Sequence, residues 1–111
     1  MTQFAPLFDL ARVIGAPLDL LPTHCYSSLV SQITTDSRDL EKDALFVALP
    51  GDRFDGHDFV ARAIAQGCLA AVVQRHRWEV SAELASLPCL PVADTLAAYQ
   101  SLGQWWRQQQ R

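Results

Sequence analysis

The sequence has 111 residues, half of them hydrophobic, with a formal net charge of −3. That size and composition fit a single domain, residues 1–111, able to bury a real core, and the net acidity excludes the broad basic face of a nucleic-acid binder. Every apolar run is broken within a few residues, so no membrane insertion is expected, and Met1-Thr2-Gln3-Phe4-Ala5-Pro6 lacks the basic start and unbroken apolar stretch of a signal peptide.

Phe4, Leu7, Phe8, Ala11 and Ile14 recur at helical spacing. Gly15 follows as a left-handed cap and Pro17 forbids continuation. Residues 16–28 carry Pro17, Pro22 and Ser27-Ser28 and read mostly as loop. From Leu29 to Thr35 the pattern alternates, with Leu29, Ser31, Ile33 and Thr35 on one half-buried strand face. Leu45 to Leu49 is a continuous apolar run, as in a strand covered on both sides. Asp58 is positioned to cap a helix with Phe59, Val60, Ala63 and Ile64 on its apolar side, ended by Gly67.

Leu69 to Val73 reads as another buried strand, which completes a parallel βαβ unit. A short helix is expected within residues 79–87. Cys89 to Val92 is a short strand that Pro91 confines to a sheet edge or to a strand start. Asp94 or Thr95 then caps a last helix with Leu96, Tyr99, Leu102 and Trp106 along one stripe, and Gln108-Gln109-Gln110-Arg111 reads as a tail. The fold class is α/β: a small mixed sheet with a βαβ unit and flanking helices.

Cys25, Cys68 and Cys89 are widely spaced with no C-x-x-C, as expected of reduced, buried thiols in a cytoplasmic protein. His24, His57 and His76 are scattered and make no metal site.

Ligands of α/β sheets bind beyond the carboxyl ends of the strands, and Gly51 to Asp58 lies at such an end. Gly51 and Gly56 permit close backbone approach. A helix opening near Asp58 points free N–H groups at this loop, which attracts anions, with Arg53 and Arg38 adding positive charge. Asp52, Asp55 and Asp58 work against a bare phosphate, so the loop is expected to read a base, ribose or sugar as well as charge. The alternative is a plain turn capped by Asp58.

Asp36-Ser37-Arg38 has a similar alternative, a turn in which Asp36 or Ser37 bonds its own backbone. Ser37 has no G-x-S-x-G setting and no adjacent base, which disfavours a hydrolase. His57 has the chemistry of a general base, but a histidine at a helix start more often caps or packs. Trp106 fits the core stripe, whereas Trp105 is left to cover a neighbouring domain. No G-x-x-x-x-G-K-[ST] loop occurs and Lys42 is the only lysine, so ATP-driven chemistry cannot be built from this chain alone.

Thr34-Thr35-Asp36-Ser37-Arg38, Leu45-Phe46-Val47-Ala48-Leu49, Gly51, Arg53, Asp55-Gly56-His57-Asp58-Phe59, Ala63 and Gly67 together resemble the N-terminal domain of the Mur ligases, the enzymes that build the peptide stem of bacterial peptidoglycan. The resemblance runs from the first helix to the last. Arg53-Phe54-Asp55 and Leu102-Gly103-Gln104-Trp105-Trp106-Arg107 look most like the branch that adds D-alanyl-D-alanine. The branch adding the third stem residue is the alternative within the family, and a stand-alone nucleotide-sugar-binding or interaction module the alternative outside it.

The resemblance implies a domain that holds the UDP part of UDP-N-acetylmuramoyl-tripeptide. In the parent, ATP and magnesium would bind a central domain of the same polypeptide and form an acyl phosphate on the tripeptide carboxylate, for attack by the dipeptide amine. No residue here would be catalytic, and no cofactor or metal would bind this segment. Thr35 and Ser37 would line the uracil end, and Asp52, Arg53 and Phe54 would close over the nucleotide. Gly51, Asp55, Gly56 and His57 would shape the loop, and Arg38 would brace it through Asp36 or Asp55. The chain is thus expected to be an isolated N-terminal domain or a piece of a longer protein. Asp43-Ala44 departs from the family's usual Gly-Asp before the Leu-Phe-Val strand, a change expected to alter a turn rather than the site.

Overall fold

Two runs of apolar residues, 45–47 and 70–73, form the centre of the sheet because water is excluded from both of their faces. The computed structural model describes residues 5–109. In chain order these comprise β1 (Ala5–Pro6), α1 (Leu7–Ile14), β2 (Leu29–Val30), β3 (Ile33–Thr34), β4 (Leu45–Val47), α2 (Val60–Ala65), β5 (Ala70–Gln74), α3 (Arg75–Glu79), α4 (Ala82–Ala85), β6 (Cys89–Val92) and α5 (Thr95–Gln108). Short 3-10 turns cover Thr23–Cys25 and Gly56–Phe59.

The strands β3-β4-β5-β6 make a four-stranded, wholly parallel sheet, while β1 and β2 pair antiparallel in a separate ribbon. The α/β class and the parallel βαβ unit (β4–α2–β5) are as expected. The parallel and antiparallel pairings are divided between two sheets. Pro91 sits in β6, an edge strand, where its missing N–H costs little.

Side-chain alternation sorts the core into two layers. Leu45, Val47, Ala70, Val72, Leu90 and Val92 face α1 and α5, meeting Leu7, Leu10, Ala11, Ala98 and Leu102. Phe46, Ala48, Ala71, Val73 and Cys89 face the other way, onto Val60 and Ala63 of α2 and Leu84 of α4. Cys25, Cys68 and Cys89 are buried free thiols. Desolvation pushes Cys68 up to about 11 and Cys89 up to about 12, which keeps both protonated and unreactive at neutral pH.

Several expected elements shift. The single strand over 29–35 is two strands in different sheets. At the break the Ser31 hydroxyl donates to Lys42 O, and the Gln32 amide bonds Asp39 O and the Glu41 N–H, so both side chains serve the 39–42 loop. Val30, not Leu29, is the buried residue of β2. The short helix expected within 79–87 is α4, which Ser81 caps by accepting from the Leu84 N–H, and α3 is an additional helix before it. Gly15 ends α1 at φ 68 as expected. Phe4 lies outside the described residues, as do Gln110 and Arg111 of the expected tail, while Gln108 is still helical.

Asp94 caps α5 by accepting from the Leu96 and Ala97 N–H groups. The buried stripe of that helix is Thr95, Ala98 and Leu102, whereas Leu96 is 49% exposed because it falls outside that stripe. Trp105 and Trp106 are both half-buried against the α1–α5 layer.

Asp43 adopts φ 69, the only positive φ of a non-glycine among the described residues. It occupies the turn before β4, held by its N–H to Gly67 O at 2.9 Å. Aspartate tolerates this region better than most residues but still strains its Cβ. Asp43→Gly is therefore expected to stabilise the fold by about 0.5 kcal/mol, the relief exceeding glycine's entropic cost. Thermal unfolding should show a midpoint roughly 2–4 °C higher, and an unchanged or lower midpoint would count against strain at this turn.

Candidate nucleotide-binding cleft

The loops after β3 and β4 meet at the carboxyl edge of the sheet. The first is a tight turn: the Asp36 N–H donates to Thr34 Oγ1 at 3.1 Å, and Asp36 Oδ1 accepts the Arg38 N–H at 2.8 Å. The Arg38 guanidinium then forks onto the same carboxylate, Nε to Oδ1 at 3.0 Å and Nη2 to Oδ2 at 3.1 Å. That contact holds Asp36 below the usual carboxylate range and raises Arg38. The turn packs Ser37 down to 7% exposure.

The second loop runs from β4 to α2 and is shaped by two close backbone approaches. A Cβ on Gly51 would collide with the Phe54 carbonyl oxygen. A Cβ on Gly56 would lie 2.8 Å from Leu49 N and 2.9 Å from Ala48 Cα, because the Gly56 N–H donates to Leu49 O at 2.8 Å.

Asp55, not Asp58, caps the turn that follows. Its Oδ1 accepts the His57 backbone N–H at 3.0 Å and lies 2.7 Å from His57 Nδ1, while Arg77 Nη1 donates to its Oδ2. His57 Nε2 accepts the Gln74 N–H at 3.0 Å, which requires the neutral tautomer protonated at Nδ1. Gln74 in turn accepts the Thr95 N–H on its side-chain oxygen. Burial lowers the His57 pKa, with the nearby Arg77 and His76 charges acting the same way against the pull of Asp55. Burial alone would raise Asp55, but the Arg77 and His57 hydrogen bonds outweigh it and bring its pKa to about 2.

Between the two loops lies an open cleft of about 560 Å³, lined by Thr35, Asp36, Ser37, Arg38, Phe46, Leu49, Phe54, Gly56, Phe59 and Arg62. Phe46 forms part of the floor, Phe54 overhangs at 79% exposure, and Arg62 stands over the Phe59 ring at 5.4 Å. The Ser37 hydroxyl makes no hydrogen bond among the described residues, so it is available to a ligand. Aromatic faces, a spare hydroxyl and guanidinium groups suit a flat polar ring carrying negative charge.

Of the residues expected at a site, Thr35, Ser37, Arg38, Phe54 and Gly56 line this cleft. Gly51, Asp52 and Arg53 lie outside its lining on the exposed loop. Asp55 and His57 are turned into the fold and brace it, which is the packing role favoured for His57. At the start of the helical turn the N–H groups of Gly56, His57 and Asp58 are taken up within the loop by Leu49 O, Asp55 Oδ1 and Asp55 O, so these three are not free to hold an anion. Arg62 and Phe59 were not singled out as site residues. Their spacing of three, which puts both on one side of a helical turn, was the available signal.

A family model described as Mur ligase family, catalytic domain, matches residues 29–102. A UDP-N-acetylmuramoyl-tripeptide–D-alanyl-D-alanine ligase of Synechocystis sp. is 34% identical over 108 residues, covering 97% of this chain and 23% of that protein. The Escherichia coli ligase of the same name is 46% identical over 77 residues, 69% of this chain and 16% of that protein. Among solved structures, MurF from Acinetobacter baumannii superposes with a TM-score of 0.74 at 34% identity, covering 97% of this chain and 22% of that one. The chain spans under a quarter of the length of these relatives.

Proposed function

The chain belongs to the Mur ligase family, and on that footing we propose that its cleft holds the uridine diphosphate end of UDP-N-acetylmuramoyl-tripeptide for a ligase that adds D-alanyl-D-alanine. The observation that carries this reading is the meeting of the Asp36-Ser37-Arg38 turn and the Gly51–Phe59 loop around one aromatic-walled cleft, with the Ser37 hydroxyl unengaged. Relatives 34% and 46% identical to the matched parts of this chain bear the name of that ligase. In this reading Thr35 and Ser37 bond the uracil end, Phe54 covers it, and Asp52 and Arg53 approach from the loop tip. Arg38 holds the turn through Asp36. ATP and magnesium belong to a central domain of the parent polypeptide, and the work is done in the cytoplasm. The segment contributes binding energy from a remote part of the substrate, which positions the reacting carboxylate elsewhere.

Titrating UDP into the isotope-labelled chain and following amide shifts tests this. Saturable shifts are expected at Thr35–Arg38 and around Phe54–Arg62. Ser37→Ala should remove one hydrogen bond, about 0.5–1.5 kcal/mol, and so raise Kd roughly two- to tenfold. An absence of saturable shifts in the cleft would overturn the assignment.

A further inference from the structure

We propose that Arg62 is the residue with which this cleft reads the phosphate charge of its ligand, an assignment that rests on the nucleotide-binding reading above. Two arginines line the cleft, and they differ in how far they are already engaged. Arg38 spends Nε and Nη2 on Asp36, so a phosphate there would have to displace a carboxylate or sit beside it. Arg62 has no carboxylate within ion-pair distance and no acceptor for its guanidinium among the described residues.

Arg62 is nonetheless held in place. Its guanidinium carbon lies 5.4 Å from the centroid of the Phe59 ring, and Phe59 is itself part of the cleft wall. An arginine stacked on an aromatic face keeps its N–H edges free for an anion, and its planar fork matches phosphate oxygens. The backbone beneath it is fixed, because Val60 and Ala63 on either side of Arg62 are fully buried against the sheet. Arg53, the cation expected from the sequence to meet the nucleotide, sits on the exposed loop outside the lining. The cleft therefore presents apolar rings for a base and one uncommitted, pre-positioned cation at its border.

The experiment compares UDP with uridine, which differ only in the diphosphate. Each is titrated by amide shifts into the full 111-residue chain and into Arg62→Gln and Arg62→Lys, at low and high ionic strength. Arg12→Gln serves as the control for loss of one positive charge, since Arg12 pairs with Asp9 on α1 away from the cleft. Arg62→Gln is expected to raise the Kd for UDP about tenfold, to change that for uridine less than twofold, and to flatten the salt dependence of UDP binding. Arg62→Lys should recover part of the loss, and Arg12→Gln should leave both ligands unchanged. A UDP Kd within twofold of the parent's in Arg62→Gln overturns the assignment, and so does an equal loss for UDP and uridine. If the parent chain binds neither ligand, the nucleotide-binding reading fails and takes this one with it. If the parent binds both and Arg62→Gln is silent, only the role of Arg62 is lost.

Discussion

Replacing His57 with alanine is expected to cost about 3 kcal/mol of stability, a large fraction of what a domain of this size has. The ring is 4% exposed and bonded at both nitrogens. Its removal leaves the Gln74 N–H without an acceptor and takes one donor from Asp55, and an orphaned buried group costs roughly 1–3 kcal/mol. The emptied space adds a further loss. Urea unfolding followed by Trp fluorescence measures the effect, and a change under about 1 kcal/mol would mean that the network is incidental.

The same network fixes a pH dependence. The folded pKa of His57 lies below its ordinary value of 6.5, so the unfolded chain takes up the proton first as pH falls. The contribution of His57 is complete above that value and is lost as pH falls through the folded pKa. Asp55 follows at lower pH: held at about 2 against an ordinary 3.8, it contributes fully above 3.8 and its share is lost toward 2. Stability should therefore decline in two acid steps, and the upper step should be missing in His57→Ala.

A second large effect is expected at Gly56. The atoms that an alanine Cβ would meet, Leu49 N and Ala48 Cα, are backbone at the end of β4 and cannot swing aside. The loop must move as a whole, and Gly56→Ala should cost about 2–4 kcal/mol. Gly15→Ala is the comparison. Gly15 has φ 68 but nothing within 4 Å of the added Cβ, so only conformational strain of about 1–2 kcal/mol applies. If the two substitutions cost the same, close approach is not what selects glycine at 56. Because Gly56 also lines the cleft, its variant should weaken UDP binding while Gly15→Ala leaves it intact.

The parts of the fold legible in the sequence were those set by local chemistry. Leu45–Leu49 and Leu69–Val73 are unbroken apolar runs between turn signals, and Gly15 and Asp94 end and begin helices by short-range geometry. The illegible parts were decided by partners distant in the chain. The alternation from Leu29 to Thr35 continues across Ser31 and Gln32, and only their bonds to the 39–42 loop divide it. Asp55 and Asp58 are both placed to cap the same turn, and the ion pair with Arg77, 22 positions away, favours the first. The cleft follows the same rule. Its two motifs were visible as motifs, whereas the inward turn of Asp55 and His57, and the place of Arg62 on the wall, depend on β5 and α3 beside them.

The bracing of the second loop has a thermodynamic consequence for any ligand. Its path is fixed by the Gly56 bond to Leu49 O and by Asp55, His57 and Arg77, none of which needs an occupant in the cleft. Ordering backbone costs about 1–2 kcal/mol per residue, and here folding has already met that cost. An entering ligand has mainly side-chain rotamers to freeze, notably that of the exposed Phe54, at about 0.5–1.5 kcal/mol. Association should therefore carry a small entropic penalty and little backbone rearrangement, so that the free and occupied clefts share nearly one shape.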